Sequence, residues 1–315
     1  MNSTLLADKS EASLKRFLNT LSPVDQVGAT ARVEALATRS IKTSSKNWAI
    51  DLAIRMVDLT TLEGADTPMK VQALCAKGVY PDPTDLTVPS VGAICVYNDM
   101  VKIARTALDA GGGKDIPVAA VATAFPSGRA SMEVKIQDTK DAIANGASEI
   151  DMVIDRGAFL SGKLGLVFEQ IAIIKEICGE AAHLKVILET GELVTLDNVR
   201  KASYLAMLAG ADFIKTSTGK VAPAATAPVV YVMLEAVRDF YKMSGSRIGV
   251  KPAGGIRTTK DAIKQLVLVN EVAGPEWLDP ALFRIGASAL LNDLLMQRMK
   301  MRDGYYASPN YVTLD

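Results

Sequence analysis

The chain has 315 residues, 35 basic and 35 acidic side chains and a formal net charge of +0, and 49% of its residues are hydrophobic. A chain of this size can bury a large core, either in one barrel-sized domain or in two domains. The balanced charge gives no electrostatic reason to expect nucleic acid or an anionic membrane as a partner. Three scattered cysteines and a single histidine, His183, disfavour a disulfide framework and a multi-histidine zinc enzyme.

The sequence carries no targeting or membrane signal. The N-terminus has no charged-then-apolar signal pattern, and no apolar run approaches the roughly 20 residues of a membrane-spanning helix. These features predict a cytoplasmic protein without a membrane partner.

The chain divides into three parts by composition. Residues 1–46 are polar and weakly helical, and we expect them to form a helical extension packed on the outside of the main domain. A regular alternation of apolar and helical patterns then occupies residues 47–301. Asp303-Gly304 breaks the last helical pattern, and the polar composition beyond it predicts a flexible tail over residues 302–315.

Eight apolar runs typical of buried strands recur in the repeating part. They are Ile54–Thr60, Ala93–Tyr97, Val118–Phe125, Glu149–Asp155, Leu184–Thr190, Phe213–Thr218, Ile248–Gly254 and Phe283–Ser288. Helical patterns separate them, which implies right-handed βαβ units and a parallel sheet. No Gly-x-Gly-x-x-Gly motif follows the first run, so a dinucleotide-binding sheet is disfavoured. The predicted fold is α/β, a (β/α)8 TIM barrel.

Charged residues within these runs predict an active site, because a TIM barrel works at the end where its strands finish. Asp58, Asp151, Lys185, Lys215 and Lys251 all lie inside apolar runs. If they point inward, three ammonium groups and two carboxylates share one cavity. The alternative is an ion-pair network that seals the barrel, although paired burial would favour equal numbers of opposite charges.

Closely spaced lysines have a chemical use. A second cation nearby, together with desolvation, favours the neutral amine of a lysine, which adds to an aldehyde or ketone to form a Schiff base. The protonated imine withdraws electrons, so a carbon–carbon bond two atoms away can be broken or made without a metal or any other cofactor. A carboxylate such as Asp151 could move protons through water.

Glycines follow the last three predicted strands. Gly219, Gly254, Gly255 and Gly286 would let backbone N–H groups approach a phosphate closely, as loops after strands seven and eight of such barrels often do. Lys220 and Arg257 would add positive charge. The alternative is that both cations belong to solvated loops.

Taken together, the strand ends resemble those of the deoxyribose-phosphate aldolase family, which are class I Schiff-base aldolases of the barrel fold. The matching stretches cover roughly residues 50–295 in order. They are Asp58-Leu59-Thr60-Thr61-Leu62, Ala93-Ile94-Cys95-Val96-Tyr97, Glu149-Ile150-Asp151, Leu184–Leu193, Ala209–Val221, Gly249–Arg257 and Phe283–Leu291. The resemblance implies reversible cleavage of 2-deoxy-D-ribose 5-phosphate to D-glyceraldehyde 3-phosphate and acetaldehyde.

The resemblance also implies residue roles. Lys215 would form the Schiff base, Lys251 would be the neighbouring cation that favours its neutral amine, and Asp151 would carry protons together with Lys251. Pocket residues would be Asp58, Thr60 and Lys185. The phosphate would be held by Thr218, Gly219, Lys220, Gly254, Gly255, Arg257, Gly286 and Ser288. Ala289 stands where some members carry a second serine, so one phosphate hydrogen bond is expected to be missing.

Three points stay open at this stage. Cys95 is either a small packing residue or a thiol near the aldehyde. Family members can end in a tyrosine that reaches the active site, and Tyr311 is the candidate here. The expected partners are small phosphosugars and aldehydes, with a homodimer as one assembly. Rival functions are another Schiff-base barrel aldolase, transaldolase-like or specific for keto acids, and a non-catalytic barrel that binds a phosphosugar.

Overall fold

The computed structural model describes residues 5–6, 8–42, 44–308 and 312. Its strands are β1 (Val57–Thr60), β2 (Ala93–Tyr97), β3 (Val118–Ala122), β4 (Glu149–Val153), β5 (His183–Ile187), β6 (Phe213–Lys215), β7 (Gly249–Lys251) and β8 (Ile285–Ala287). Its α-helices are α1 (Glu11–Thr20), α2 (Gln26–Ala37), α3 (Ser44–Met56), α4 (Pro68–Val79), α5 (Val101–Ala110), α6 (Met132–Ala144), α7 (Arg156–Leu160), α8 (Leu164–Cys178), α9 (Leu196–Leu208), α10 (Ala227–Ser244), α11 (Thr259–Val272) and α12 (Leu290–Asp303).

The strands form one parallel sheet that closes on itself. Seven neighbouring pairs run in the order β7-β6-β5-β4-β3-β2-β1-β8. Parallel bridges from Val250 to Phe283 and from Ala253 to Gly286 join the two ends of that order. Helices cover the outside of the sheet, so the strands are buried on both faces and read as nearly continuous apolar runs. The prediction of a (β/α)8 TIM barrel is confirmed.

The first predicted strand begins too early. Ile54, Ala53 and Met56 are buried, but they belong to α3, and β1 starts at Val57. A short apolar run has the same pattern at the end of a buried helix as in a buried strand, so periodicity alone cannot separate the two.

The N-terminal helices pack on the barrel's outer layer. Helix α1 contacts α8 and α9, α2 contacts α10 and α11, and α3 contacts α11 and α12. Leu14 and Leu18 of α1 are 0% and 1% exposed, so this helix buries both leucines against the barrel's outer layer. The extension therefore covers part of the helical layer instead of standing apart from it.

The last helix ends at the Asp303-Gly304 break that the sequence predicts. Helix α12 continues to Asp303, and Gly304 follows with φ +84°, a left-handed conformation that commonly ends a helix. The ring of Tyr306 then lies on the ammonium of Lys300, 3.7 Å from ring centroid to nitrogen. Within the described residues, no helix is both long enough and apolar enough to cross a membrane.

Replacing Leu14 by Ala should lower the free energy of unfolding by about 2–4 kcal/mol, because the methyl groups removed are fully buried between helices. Denaturant unfolding measures the change. Val27→Ala is the matched control in α2: its side chain is 80% exposed, and a change within about 0.5 kcal/mol is expected. Equal stability of the Leu14→Ala variant and the wild type would show that the packing of α1 on the barrel does not contribute to the stability of the fold.

Candidate active site

A buried ion-pair cluster lies inside the barrel. The Nζ atoms of Lys215 and Lys251 each lie 2.7 Å from the same oxygen, Oδ2 of Asp151. Lys251 Nζ also lies 2.5 Å from Oδ2 of Asp58. Because both ammonium nitrogens contact the same oxygen, the distance between them is at most twice the Lys215–Asp151 distance. The register explains their closeness, since Lys215 on β6 stands directly beside Lys251 on β7.

The cluster continues deeper in the barrel. Lys185 donates a hydrogen bond to Glu149 and lies 3.5 Å from Oδ1 of Asp151. The guanidinium of Arg284 bridges two of the carboxylates. Its Nη1 lies 2.7 Å from Oδ1 of Asp58, and its Nη2 lies 3.3 Å from Oε1 of Glu149. The structure therefore brings together the five charged residues predicted from the sequence and adds two that were missed.

The two missed residues left the same kind of signal in the sequence. Glu149 lies two positions before Asp151 on the same strand, and alternate residues of a strand share a face, so its inward direction could have been read from the sequence. Arg284 lies inside the predicted apolar run Phe283–Ser288, on the alternating face of Gly286 and Ser288, so its inward direction could have been read in the same way.

The mutual attraction of these groups fixes most of their charges. Burial opposes ionisation of Asp151, but the ammonium groups of Lys215, Lys251 and Lys185 outweigh it and hold the pKa of the carboxyl well below its usual value. Burial likewise opposes the charge of Lys251, but Asp151 and Asp58 raise its pKa well above the usual value. The pKa of Asp58 is lowered to about 2, since Lys251 and Arg284 outweigh its burial.

The fully ionised cluster carries one positive charge in excess. Its cations are Lys185, Lys215, Lys251 and Arg284, and its carboxylates are Asp58, Glu149 and Asp151. An uncompensated charge is costly in a buried site. Loss of one proton from the cluster would make it neutral.

An open cleft of about 510 Å³ lies above the cluster. Lys215 is the one cluster residue among its lining residues. Residues that the sequence assigned to the pocket or to phosphate also line it: Thr60, Thr218, Gly219, Lys220, Gly254, Gly255, Arg257, Gly286 and Ser288. Asp58, Lys185 and Cys95 are 0% exposed and lie beneath the cleft, where they do not line it.

Cys95 belongs to the wall of the barrel interior. It packs in a small apolar cluster with Leu62, Ala119 and Val121. Burial raises the pKa of its thiol, which keeps the thiol protonated. A protonated thiol is a weak nucleophile, so the packing interpretation of Cys95 is the one that its surroundings favour.

Two glycines are required by the shape of the site. A side chain on Gly254, which has φ +82°, would bring its Cβ within 2.6 Å of the Ala224 side chain. A Cβ on Gly286 would approach that of Ala253 to 2.9 Å and the Cε of Lys251 to 3.3 Å. Gly286 therefore leaves room for the buried lysine as well as opening the cleft.

Hydrogen bonds fasten the loop after β6 to its neighbours. Ser217 Oγ donates to the carbonyl of Ala253 at 2.6 Å, and the amide of Ala253 donates to Thr216 Oγ1 at 2.9 Å. On the other side, Thr218 Oγ1 donates to Glu189 Oε2 at 2.5 Å. Glu189 is 0% exposed and has φ +52°. The sequence reasoning missed Glu189, whose signal was an acidic residue at the end of an apolar run.

The C-terminal segment gives no catalytic group in the part that is described. Tyr305 and Tyr306 are exposed and do not line the cleft, and Tyr311 lies outside the described residues. Over residues 5–6, 8–42, 44–308 and 312, no group of three or more His, Cys, Asp or Glu side chains is arranged to hold a metal ion.

Comparison with known proteins agrees with this geometry. Residues 52–295 match the family described as DeoC/LacD family aldolase. The chain is 46% identical over 288 residues to the deoxyribose-phosphate aldolase of Homo sapiens, covering 88% of this chain and 89% of the human one. It is 47% identical over 264 residues to that of Bos taurus, covering 81% and 82%.

A solved structure supports the fold. The deoxyribose phosphate aldolase from Aeropyrum pernix, which is tetrameric, superposes with a TM-score of 0.60 over 83% of this chain and 97% of its own, at 23% identity. The family match spans all the strands whose ends form the cleft and the buried cluster. By sequence as well as by fold, the chain belongs to the DeoC/LacD family of aldolases.

Proposed function

We propose that the protein is a deoxyribose-phosphate aldolase, which reversibly cleaves 2-deoxy-D-ribose 5-phosphate to D-glyceraldehyde 3-phosphate and acetaldehyde. The observation that carries this proposal is the position of Lys215. Its ammonium lines the open cleft and also shares a carboxylate oxygen with a second, fully buried lysine. The activity of the 46% identical human relative supports the choice of substrate.

Charge balance selects Lys215 as the amine that reacts. Lys251 is held as an ammonium between two carboxylates, and Lys185 is buried beneath the cleft against Glu149. Release of a proton from Lys215 removes the excess positive charge of the cluster. Lys215 is also the lysine of the cluster that a substrate in the cleft can reach. The neutral amine then adds to C1 of the open-chain aldehyde. The hydroxyl of the resulting carbinolamine takes up the proton that Lys215 released and leaves as water, which gives the protonated imine.

Carbon–carbon cleavage follows from the imine. Electrons of the C2–C3 bond move towards the positive nitrogen, the proton of the 3-hydroxyl passes to Asp151 directly or through water, and D-glyceraldehyde 3-phosphate leaves. The remaining enamine takes a proton at C2 from Asp151 with Lys251 nearby, and hydrolysis of the new imine frees acetaldehyde and the amine of Lys215. Protons and electrons balance without a cofactor.

The phosphate of the substrate lies at the glycine-rich side of the cleft. Backbone N–H groups around Gly219, Gly254, Gly255, Gly286 and Ser288 surround it, and Lys220 and Arg257 supply positive charge. Ala289 brings no hydroxyl to this rim.

We further propose that residues 1–46 are a cover for the catalytic barrel of residues 47–301, that residues 302–315 form a flexible tail, and that Tyr311 supplies a phenol for proton exchange. We also propose that the protein forms a homodimer and acts in the cytoplasm. Light scattering after size-exclusion chromatography measures the assembly.

Borohydride reduction in the presence of acetaldehyde should attach a two-carbon group to Lys215, because its amine is the one that faces the cleft. Peptide mass mapping locates the adduct. Lys220, which lines the same cleft without entering the buried cluster, is the internal control and should stay unmodified. An adduct mainly on Lys251 would reverse the two roles, and absence of any adduct would rule out the Schiff base.

Replacing Lys251 by Leu should reduce turnover at pH 7 by at least about 10²-fold, since the cluster then has no excess positive charge to favour release of a proton from Lys215. The residual rate should rise with pH as the amine is freed. A thermal melt is the control, because removing a buried ion-pair partner costs about 3–5 kcal/mol of stability. Ordinary turnover at neutral pH in a folded variant would show that Lys251 is dispensable.

Asp151→Asn should reduce turnover by about 10²–10⁴-fold while sparing imine trapping more, because an amide cannot relay a proton. Both rates are measured on the same preparation, with borohydride trapping as the internal reference. Equal losses in turnover and trapping would mean that Asp151 mainly positions the lysines.

A further inference from the structure

The rim of the cleft carries an ion pair that the proposed reaction does not use. Lys220 Nζ donates to Oε1 of Glu63 at 2.9 Å, which links the loop after β1 to the loop after β6 across the cleft. Both residues line the cleft. The side chain of Glu63 is 65% exposed and that of Lys220 is 33% exposed, so water and ligands can reach the pair.

A tight turn anchors the backbone of Glu63. Its amide donates to Oδ2 of Asp66 at 3.0 Å, and the amide of Asp66 donates to the carbonyl of Glu63 at 3.0 Å. Oδ1 of Asp66 accepts from Thr61 Oγ1 at 2.8 Å and from Lys70 Nζ at 2.7 Å. The loop is thus fixed by its own hydrogen bonds, and the Glu63 side chain can move without moving the loop.

The cations at this rim are therefore mostly neutralised before any ligand arrives. Lys70 is paired with Asp66 and Lys220 with Glu63, whereas the guanidinium of Arg257 has no carboxylate partner among the described residues. A phosphate that contacts Lys220 either displaces Glu63 from it or binds beside the Glu63 carboxylate. Both cost free energy, the first through a lost ion pair and the second through repulsion between like charges.

We propose that Glu63 is a specificity-determining residue that competes with the substrate phosphate for Lys220. This rests on the proposed function, in which Lys220 contacts the phosphate. The competition weakens binding of phosphorylated substrates and leaves neutral ones unaffected, because an acceptor without a phosphate does not need Lys220. Glu63 therefore narrows the preference of the enzyme for phosphorylated over non-phosphorylated sugars.

The test compares KM and kcat for 2-deoxyribose 5-phosphate and for 2-deoxyribose in the wild type and in Glu63→Gln. We expect KM for the phosphorylated sugar to fall about 3- to 10-fold, the range that an exposed ion pair and a nearby like charge produce. The kcat for both sugars and KM for the neutral sugar should stay within about 2-fold, because the amide keeps the shape of the side chain without its charge. Added salt should shrink the difference in KM.

Two further variants test whether the change in KM comes from the contact between Glu63 and Lys220. Glu271→Gln removes a carboxylate that pairs with Arg39 at 2.7 Å outside the cleft, and it should leave every KM unchanged. In a Lys220→Met background, Glu63→Gln should improve KM for the phosphorylated sugar by a smaller factor, since the two changes act on one interaction. An unchanged or increased KM in Glu63→Gln, or an equal shift for both sugars, would overturn the proposal.

Calorimetric titration with inorganic phosphate measures the effect of Glu63 on phosphate binding without requiring that the protein cleave the sugar. Glu63→Gln should bind phosphate about 3- to 10-fold more tightly than the wild type, whether or not the protein cleaves the sugar. A wild type that binds phosphate but does not cleave 2-deoxyribose 5-phosphate would refute the proposed reaction alone. Equal phosphate affinities in an active enzyme would refute the role of Glu63 alone.

Discussion

The sharing of one Asp151 oxygen by two lysine ammonium groups is the interaction on which the site depends. Buried ions are stable only when each is closely paired, so the two lysines require Asp151, and Asp151 requires them. Lys251 also pairs with Asp58 on β1, and Asp58 pairs with Arg284 just before β8. The same need for close pairing therefore extends to this side of the barrel. The charges form one coupled set, so removing one member changes the electrostatic surroundings of all the others.

The barrel architecture allows such a set to form. Its closed parallel sheet satisfies the backbone hydrogen bonds, and its pleat directs alternate side chains to the interior. The register places Asp151 level with Lys185, and Lys215 level with Lys251. A carboxylate and three lysines from four successive strands thus meet without any loop being needed to position them.

Two lysines at this end of the barrel illustrate how burial changes the use of a charge. Lys251 is 0% exposed between two carboxylates, which fixes its proton and makes it a permanent neighbour of the reacting amine. Lys220 is paired with a single carboxylate at the solvent-exposed rim, where ion pairs contribute little and exchange readily. The first arrangement suits catalysis, and the second suits binding and release of an anion.

The sequence by itself determined the barrel, its eight strands and the five inward-facing charged residues, because strand residues alternate with period two and a charge inside an apolar run must point towards other polar groups. It also identified the glycine-rich side of the cleft. Only the tertiary structure decided that Arg284 joins Asp58 to Glu149, that Glu189 holds Thr218, and that Glu63 reaches Lys220. The partners in these pairs lie 29 to 226 residues apart along the chain. Which of them meet is set by closure of the barrel and by the packing of the loops that follow its strands, and local sequence spacing carries no record of either.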